Sequence, residues 1–237
     1  MPDIDKINNV AVADISKLDA VTFADGQKVN NQDVSLVTEA MTLLGTVSET
    51  DVTSISVNDS TLDSGIDSTY DMHIFEVINA HSHGSEGTQQ NLQFAVNATD
   101  TADYDDILID AGFTLLYHDE DDSGAGGFTS NDGTRNTVQV AGYANLTTYE
   151  GNDADQSSNG QIIFWGLGST SYEKHYVSQF STQARHDACI LSDTRGAIQG
   201  EGGGSGNTTA AIDDINFKYA AGSNISATIK VWGMAKS

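Results

Sequence analysis

Apolar and polar residues alternate along most of this chain with a period of two, the spacing that sends successive side chains to opposite faces of an extended strand. The last two runs are the clearest. Residues 211–219 set Ile215, Phe217 and Tyr219 on one face, and 225–233 set Ile225, Ala227, Ile229 and Val231 on one face with Lys230 and Trp232 on the other. Ala221-Gly222-Ser223-Asn224 lies between them, so the pair reads as a β-hairpin whose apolar face needs cover from elsewhere in the chain.

The same pattern predicts strands over 52–57, 91–96, 113–117, 137–146, 161–167, 174–181 and 189–191. It also predicts one over 67–78, where Met72, Ile74 and the Val77/Ile78 pair form the apolar side. Residues 34–44 stay open: Val37, Ala40, Met41 and Leu44 fit helical spacing, yet Leu43-Leu44-Gly45-Thr46-Val47 is good strand sequence. Roughly eight to ten strands joined by Gly, Asn, Asp and Ser connections, without a convincing long helix, point to an all-β antiparallel sandwich. Its expected core holds Ile74, Phe94, Val96, Leu115, Val140, Phe164, Phe217, Ile229 and Val231.

The first residues follow a different rule. Asp3, Asp14 and Asp25 are 11 apart, and Lys6, Lys17 and Lys28 keep the same step. Asn8-Asn9 and Asn30-Asn31 sit where a helix of that period would be interrupted, so each unit reads as an extended piece, an Asn/Asp turn and another extended piece. Thin units bury too little to offset their own ordering entropy and are expected to order against a partner. The docking contacts expected of this arm are apolar Ile4, Ile7, Val10, Ile15, Leu18 and Val21 laid into a groove. Lys6, Lys17 and Lys28 offer cations to an acidic partner surface. The domain reading is an arm over 1–35, a connector over 36–47 and the sandwich over 48–237.

Charge narrows the partners. With 34 Asp+Glu against 10 Lys+Arg the formal charge is −24, which repels a nucleic-acid backbone and an anionic membrane. Cys189 is the single cysteine, excluding an internal disulfide, and its apolar neighbours suggest a buried strand thiol. No basic-then-apolar leader opens the sequence and no apolar run approaches 18 residues, so synthesis in the cytoplasm is expected.

Several stretches together resemble a jelly-roll domain of tailed-bacteriophage structural proteins: Ser54-Ile55-Ser56-Val57, Gly65-Ile66-Asp67-Ser68-Thr69-Tyr70-Asp71, Gln161-Ile162-Ile163-Phe164, Ile212-Asp213-Asp214-Ile215-Asn216-Phe217 and Thr228-Ile229-Lys230-Val231-Trp232-Gly233. The leading repeat resembles the lysine/asparagine repeats that open phage virion proteins. The resemblance implies a jelly-roll sandwich in a virion component: a capsid decoration or cement, a head fibre, or a tail fibre or adaptor. It implies other virion proteins, the major capsid protein or tail proteins, as partners, and a homo-oligomer, by analogy a trimer. The alternative is a carbohydrate-binding adhesin module for a host-surface glycan, in which Tyr117, Tyr143, Tyr149, Trp165 or Tyr172 stack on sugar rings. The orientation of Trp165 and Trp232 separates the two.

Chemistry has little to build on. His81-Ser82-His83 puts two imidazoles on one face, with His73 upstream, but lacks the further ligands a zinc site needs. Asp119, Asp121 and Ser123 have the spacing of a calcium loop, yet its twelfth position is Ser130 rather than Glu. Asn152, Asp153 and Asp155 are further candidate oxygen ligands. No nucleophile elbow, zinc-protease helix or phosphate loop is present, and His186-Asp187 near Ser181 makes a poor triad, since strand neighbours point apart. No catalytic, cofactor-binding or metal residue is expected. The glycine-rich stretches 196–206 and 123–133 read as loops.

Overall fold

The computed structural model describes residues 41–84, 90–98, 104, 107–118, 127–130, 137–184, 188–201 and 209–235, with the short pieces 6–7, 10–11, 28–29 and 32–33. The chain divides into two units, Met1–Ala40 and Met41–Ser237. In the first, β1 (Lys6–Ile7) pairs antiparallel with β2 (Val10–Ala11), and β3 (Lys28–Val29) with β4 (Gln32–Asp33). Each ladder brackets one Asn-Asn pair, as the turn chemistry of asparagine favours.

The second unit is all-β. Its strands are β5 (Met41–Val52), β6 (Ile55–Asn58), β7 (Tyr70–Ser82), β8 (Leu92–Ala98), β9 (Ile107–His118), β10 (Gly127–Ser130), β11 (Thr137–Ala141), β12 (Ala144–Asn145), β13 (Ser158–Trp165), β14 (Lys174–Gln183), β15 (Cys189–Glu201), β16 (Ile212–Tyr219) and β17 (Ile225–Ala235). They form two antiparallel sheets. The large one runs β10-β9-β15-β14-β13-β7-β17-β5, with β11 also on β9; the small one runs β12-β8-β16-β6.

The inner faces of the sheets meet in one apolar core, as a sandwich requires. Phe94 of the small sheet lies 5.7 Å from Phe164 and 5.0 Å from Tyr176 of the large sheet, both edge-on. Phe75 stands 5.5 Å from Phe164 and 6.3 Å from Phe217. Such offset ring pairs add about 0.5–1.5 kcal/mol each beyond the area they bury. Phe94, Val96, Phe164, Phe217, Ile229 and Val231 are fully buried as expected. Leu115 is buried too, but in a separate cluster with Phe113, Ala184, Ala188 and Ile190.

Four expectations need correction. On β7 the core side is His73, Phe75 and Val77, while Met72, Ile74 and Ile78 lie on the other face, half-buried. Both faces of this strand are apolar, so alternation alone could not tell which one meets the second sheet. Strands β16 and β17 alternate as read but do not form a hairpin. They lie in opposite sheets, joined by a 3-10 turn at Ala220–Gly222 where Gly222 takes a φ of 75°. Their apolar sides therefore face each other across the core. Residues 41–47, read as connector, are the start of β5. Finally, Gly196 and Gly200 belong to β15, a strand of 13 residues, and Gly127 to β10.

Candidate functional site

A strand whose inner side chains fill a core turns its remaining side chains outward, and those of the large sheet can be followed across strands through their register. Leu43 of β5 pairs with Trp232 of β17, Trp232 with Ile74 of β7, Ile74 with Ile163 of β13, Ile163 with Val177 of β14, and Val177 with Arg195 of β15. The adjacent row is Met41, Met234, Met72, Trp165 and His175. Three of the four methionines and both tryptophans of the chain thus stand on one face. Met41, Leu43 and Trp165 are 44%, 45% and 40% exposed. At about 4.8 Å per strand, this apolar band spans about 19 Å from β5 to β14.

A polar row flanks it on the other side: Thr46, Lys230, Glu76, Gln161, Gln179 and Asp193. An open groove of about 700 Å³ lies between Met41, Ile74 and Trp232 on one side and Glu76, Asn159 and Gln161 on the other. A hollow of about 190 Å³ continues past Gln161 among Ile163, Val177, Gln179, Asp193 and Arg195. Within these two rows Lys230 and Arg195 balance Glu76 and Asp193, on a chain of charge −24. Contiguous exposed apolar side chains make this face a candidate interaction surface, and methionines suit one that must adapt to its partner.

The outward tryptophans were legible from alternation in β13 and β17. The row joining them was not, since it depends on pairing between strands as far apart in sequence as β5 and β17. The aromatic platform expected of Tyr117, Tyr143, Tyr149, Trp165 and Tyr172 does not assemble. Tyr143 donates to Asn216 Oδ1 at 2.8 Å on the outer side of the small sheet, under the Lys218 ammonium. Tyr149 packs on the Phe113 cluster, and Tyr172 is exposed beyond β13. Tyr117 lies in β9 and pairs with Gly127 of β10 and Ile190 of β15; its side chain lies outside what is described.

The remaining predicted residues are placed as follows. Of the docking set, Lys6, Ile7, Val10 and Lys28 sit in the paired pieces β1, β2 and β3, and Ile4, Ile15, Lys17, Leu18 and Val21 lie outside the described residues. Asp119–Asp122, His186 and Asp187 also lie outside them. Asn152 spends its amide on Gly84 O at 2.9 Å. Cys189 is exposed rather than buried: the buried positions at the start of β15 are Ala188 and Ile190 on either side of it.

His81 and His83 do share a face, their rings 4.9 Å apart and edge-on. Among the described residues no group of three or more His, Cys, Asp and Glu could hold a metal ion. His83 Nε2 instead hydrogen-bonds Ser226 Oγ at 2.6 Å, and its Nδ1 stands 3.9 Å from Asp51 Oδ1. This trio was not visible in the sequence and has the outline of a Ser-His-Asp set. The His83–Asp51 separation exceeds hydrogen-bond reach. Ser226 Oγ also accepts from Asp51 N–H at 2.9 Å, and Asp51, with a φ of 54°, is held further by Asn224. These contacts tie the ends of β5, β7 and β17 together.

Glu150 and His73 are among the titratable groups buried in the interior. Burial pushes the Glu150 carboxyl up to about 8, although the Ser158 and Tyr219 hydroxyls donate to it. Ser158 Oγ continues to Thr182 Oγ1 at 2.8 Å. Glu150 bridges Gln90 and Ala184 through its backbone, so this network spans both sheets. Burial pulls His73 down to about 4, and neither ring nitrogen has a hydrogen-bond partner.

Comparison with protein-family models, with curated proteins and with solved structures returns no match.

Proposed function

We propose that the protein is a structural component of a bacteriophage virion, a capsid decoration, cement or head-fibre protein docked through its N-terminal arm, with the sandwich as its body. The observation that supports this best is the strand order. With β9–β11, β14 and β15 set aside, the other eight strands run β5-β17-β7-β13 in one sheet and β6-β16-β8-β12 in the other. Successive strands change sheet at every step except from β8 to β12. A double Greek key of eight strands in that order is a jelly roll, an architecture of viral capsid and lectin domains. The inference is one of fold-level analogy, and the short antiparallel pieces β1–β2 and β3–β4 agree with the resemblance that motivates it.

Virions purified through a density gradient from the host that carries this coding sequence should contain the chain, read by peptide mass spectrometry at a fixed ratio to the major capsid protein. Peptides found only in the unsedimented lysate would remove the proposal.

A second reading, saccharide binding, is favoured by one observation: Trp165 and Trp232 face outward, and Trp232 lines one groove with Gln161. A glycan array on the purified chain tests it. Binding that is lost in Trp232→Ala supports it, and a blank array counts against it.

A further inference from the structure

We propose that the outer face of the large sheet is a self-association surface, which takes a second copy of this chain face to face across a two-fold axis running along β13. The proposal goes beyond the virion reading and stands or falls separately from it. It rests on the order of side chains in the cross-strand rows. A two-fold axis lying in the interface along β13 reverses the strand order, so that β17 of one copy faces β15 of the other and β7 faces β14.

In the polar row this sets Lys230 against Asp193 of the second copy and Glu76 against Gln179, with Gln161 meeting itself. In the next row Trp232 meets Arg195 of the second copy, a cation over an indole face, Ile74 meets Val177, and Ile163 meets Ile163. In these two rows each charged side chain finds an opposite charge, an amide or an aromatic ring, and Ile74, Ile163 and Val177 find apolar partners.

Charge decides between occupants. Two chains of −24 repel wherever their acidic surfaces approach, and these two balanced rows add nothing to that repulsion. Size agrees. Five strands from β17 to β15, the longest of 13 residues, give on the order of 900 Å² of sheet face, against the roughly 800 Å² per partner of a stable interface. Aligned sheets stack about 10 Å apart at about −30°, so contact is closest near the axis, at Ile163 and Gln161.

The test uses the full chain in sedimentation velocity and tryptophan fluorescence from sub-micromolar to about 100 μM. Both tryptophans lie on the face, so dilution should halve the sedimenting mass and shift emission to the red over one concentration range. Lys230→Glu should weaken this association by roughly tenfold or more, as loss of a close interfacial charge pair does. Asp193→Lys should weaken it similarly, and the double charge swap should recover most of the loss. Circular dichroism of each variant at low concentration checks that the sandwich is intact. A chain whose mass does not change over the whole range overturns the proposal. So does an oligomer that ignores both single variants, or a double variant no tighter than the single ones, since another protein or a saccharide on this face would not be rescued by swapping the charges.

Discussion

Glu150 holds a proton at neutral pH because its carboxyl is sealed between the sheets, where ionisation would put an unpaired charge in the core. Its folded value of about 8 lies above the ordinary 4.5, so the folded chain binds this proton more tightly than the unfolded one. The resulting stability is complete below about 4.5 and is lost as pH rises through about 8. His73 works in the opposite sense. Its folded value of about 4 lies below 6.5, so its contribution is complete above 6.5 and is lost as pH falls through about 4. Of these two groups only Glu150 acts between pH 6.5 and 8, where it should remove about 1.5 kcal/mol of unfolding free energy. Denaturant titration at both values should show that fall in the parent and a flat response in Glu150→Gln. A variant that falls as the parent does would place the proton elsewhere.

At the scale of elements, β7 shows what alternation can and cannot supply. Its existence was legible from Met72 through Ile78, but the choice between its two faces was not, because the outer side carries Met72, Ile74 and Ile78 and the inner side His73, Phe75 and Val77. A polar outer face would have resolved the choice; a docking face does not. The two faces should separate in mutants measured at dilution, where the sandwich stands alone. Phe75→Ala should cost about 3–5 kcal/mol, the price of a cavity beside Phe164 and Phe217, whereas Ile74→Ala should cost under about 1 kcal/mol. Equal losses would contradict the assignment of faces. The misreading of β16 and β17 has a related cause: one apolar side per strand is compatible with a hairpin and with two opposed sheets, and only long-range pairing distinguishes them. Gly233 records that pairing. A Cβ there would come 2.5 Å from the Tyr70 ring, which lies against His73.

At the scale of the whole second unit, one sheet holds nine strands and the other four. The all-β class was legible in the period of two. The candidate surface was legible only as isolated outward residues, because its rows join strands that are distant in sequence. The functional proposal predicts where each part of the chain lies on a particle. The most direct measurement is a cryo-electron microscopy map of the virion at a resolution that traces the chain. The expected map shows the sandwich on the particle exterior with residues 1–40 seated on a neighbouring virion protein. A map in which this density is absent, or in which the arm points into solvent while the sandwich makes the attachment, would contradict it.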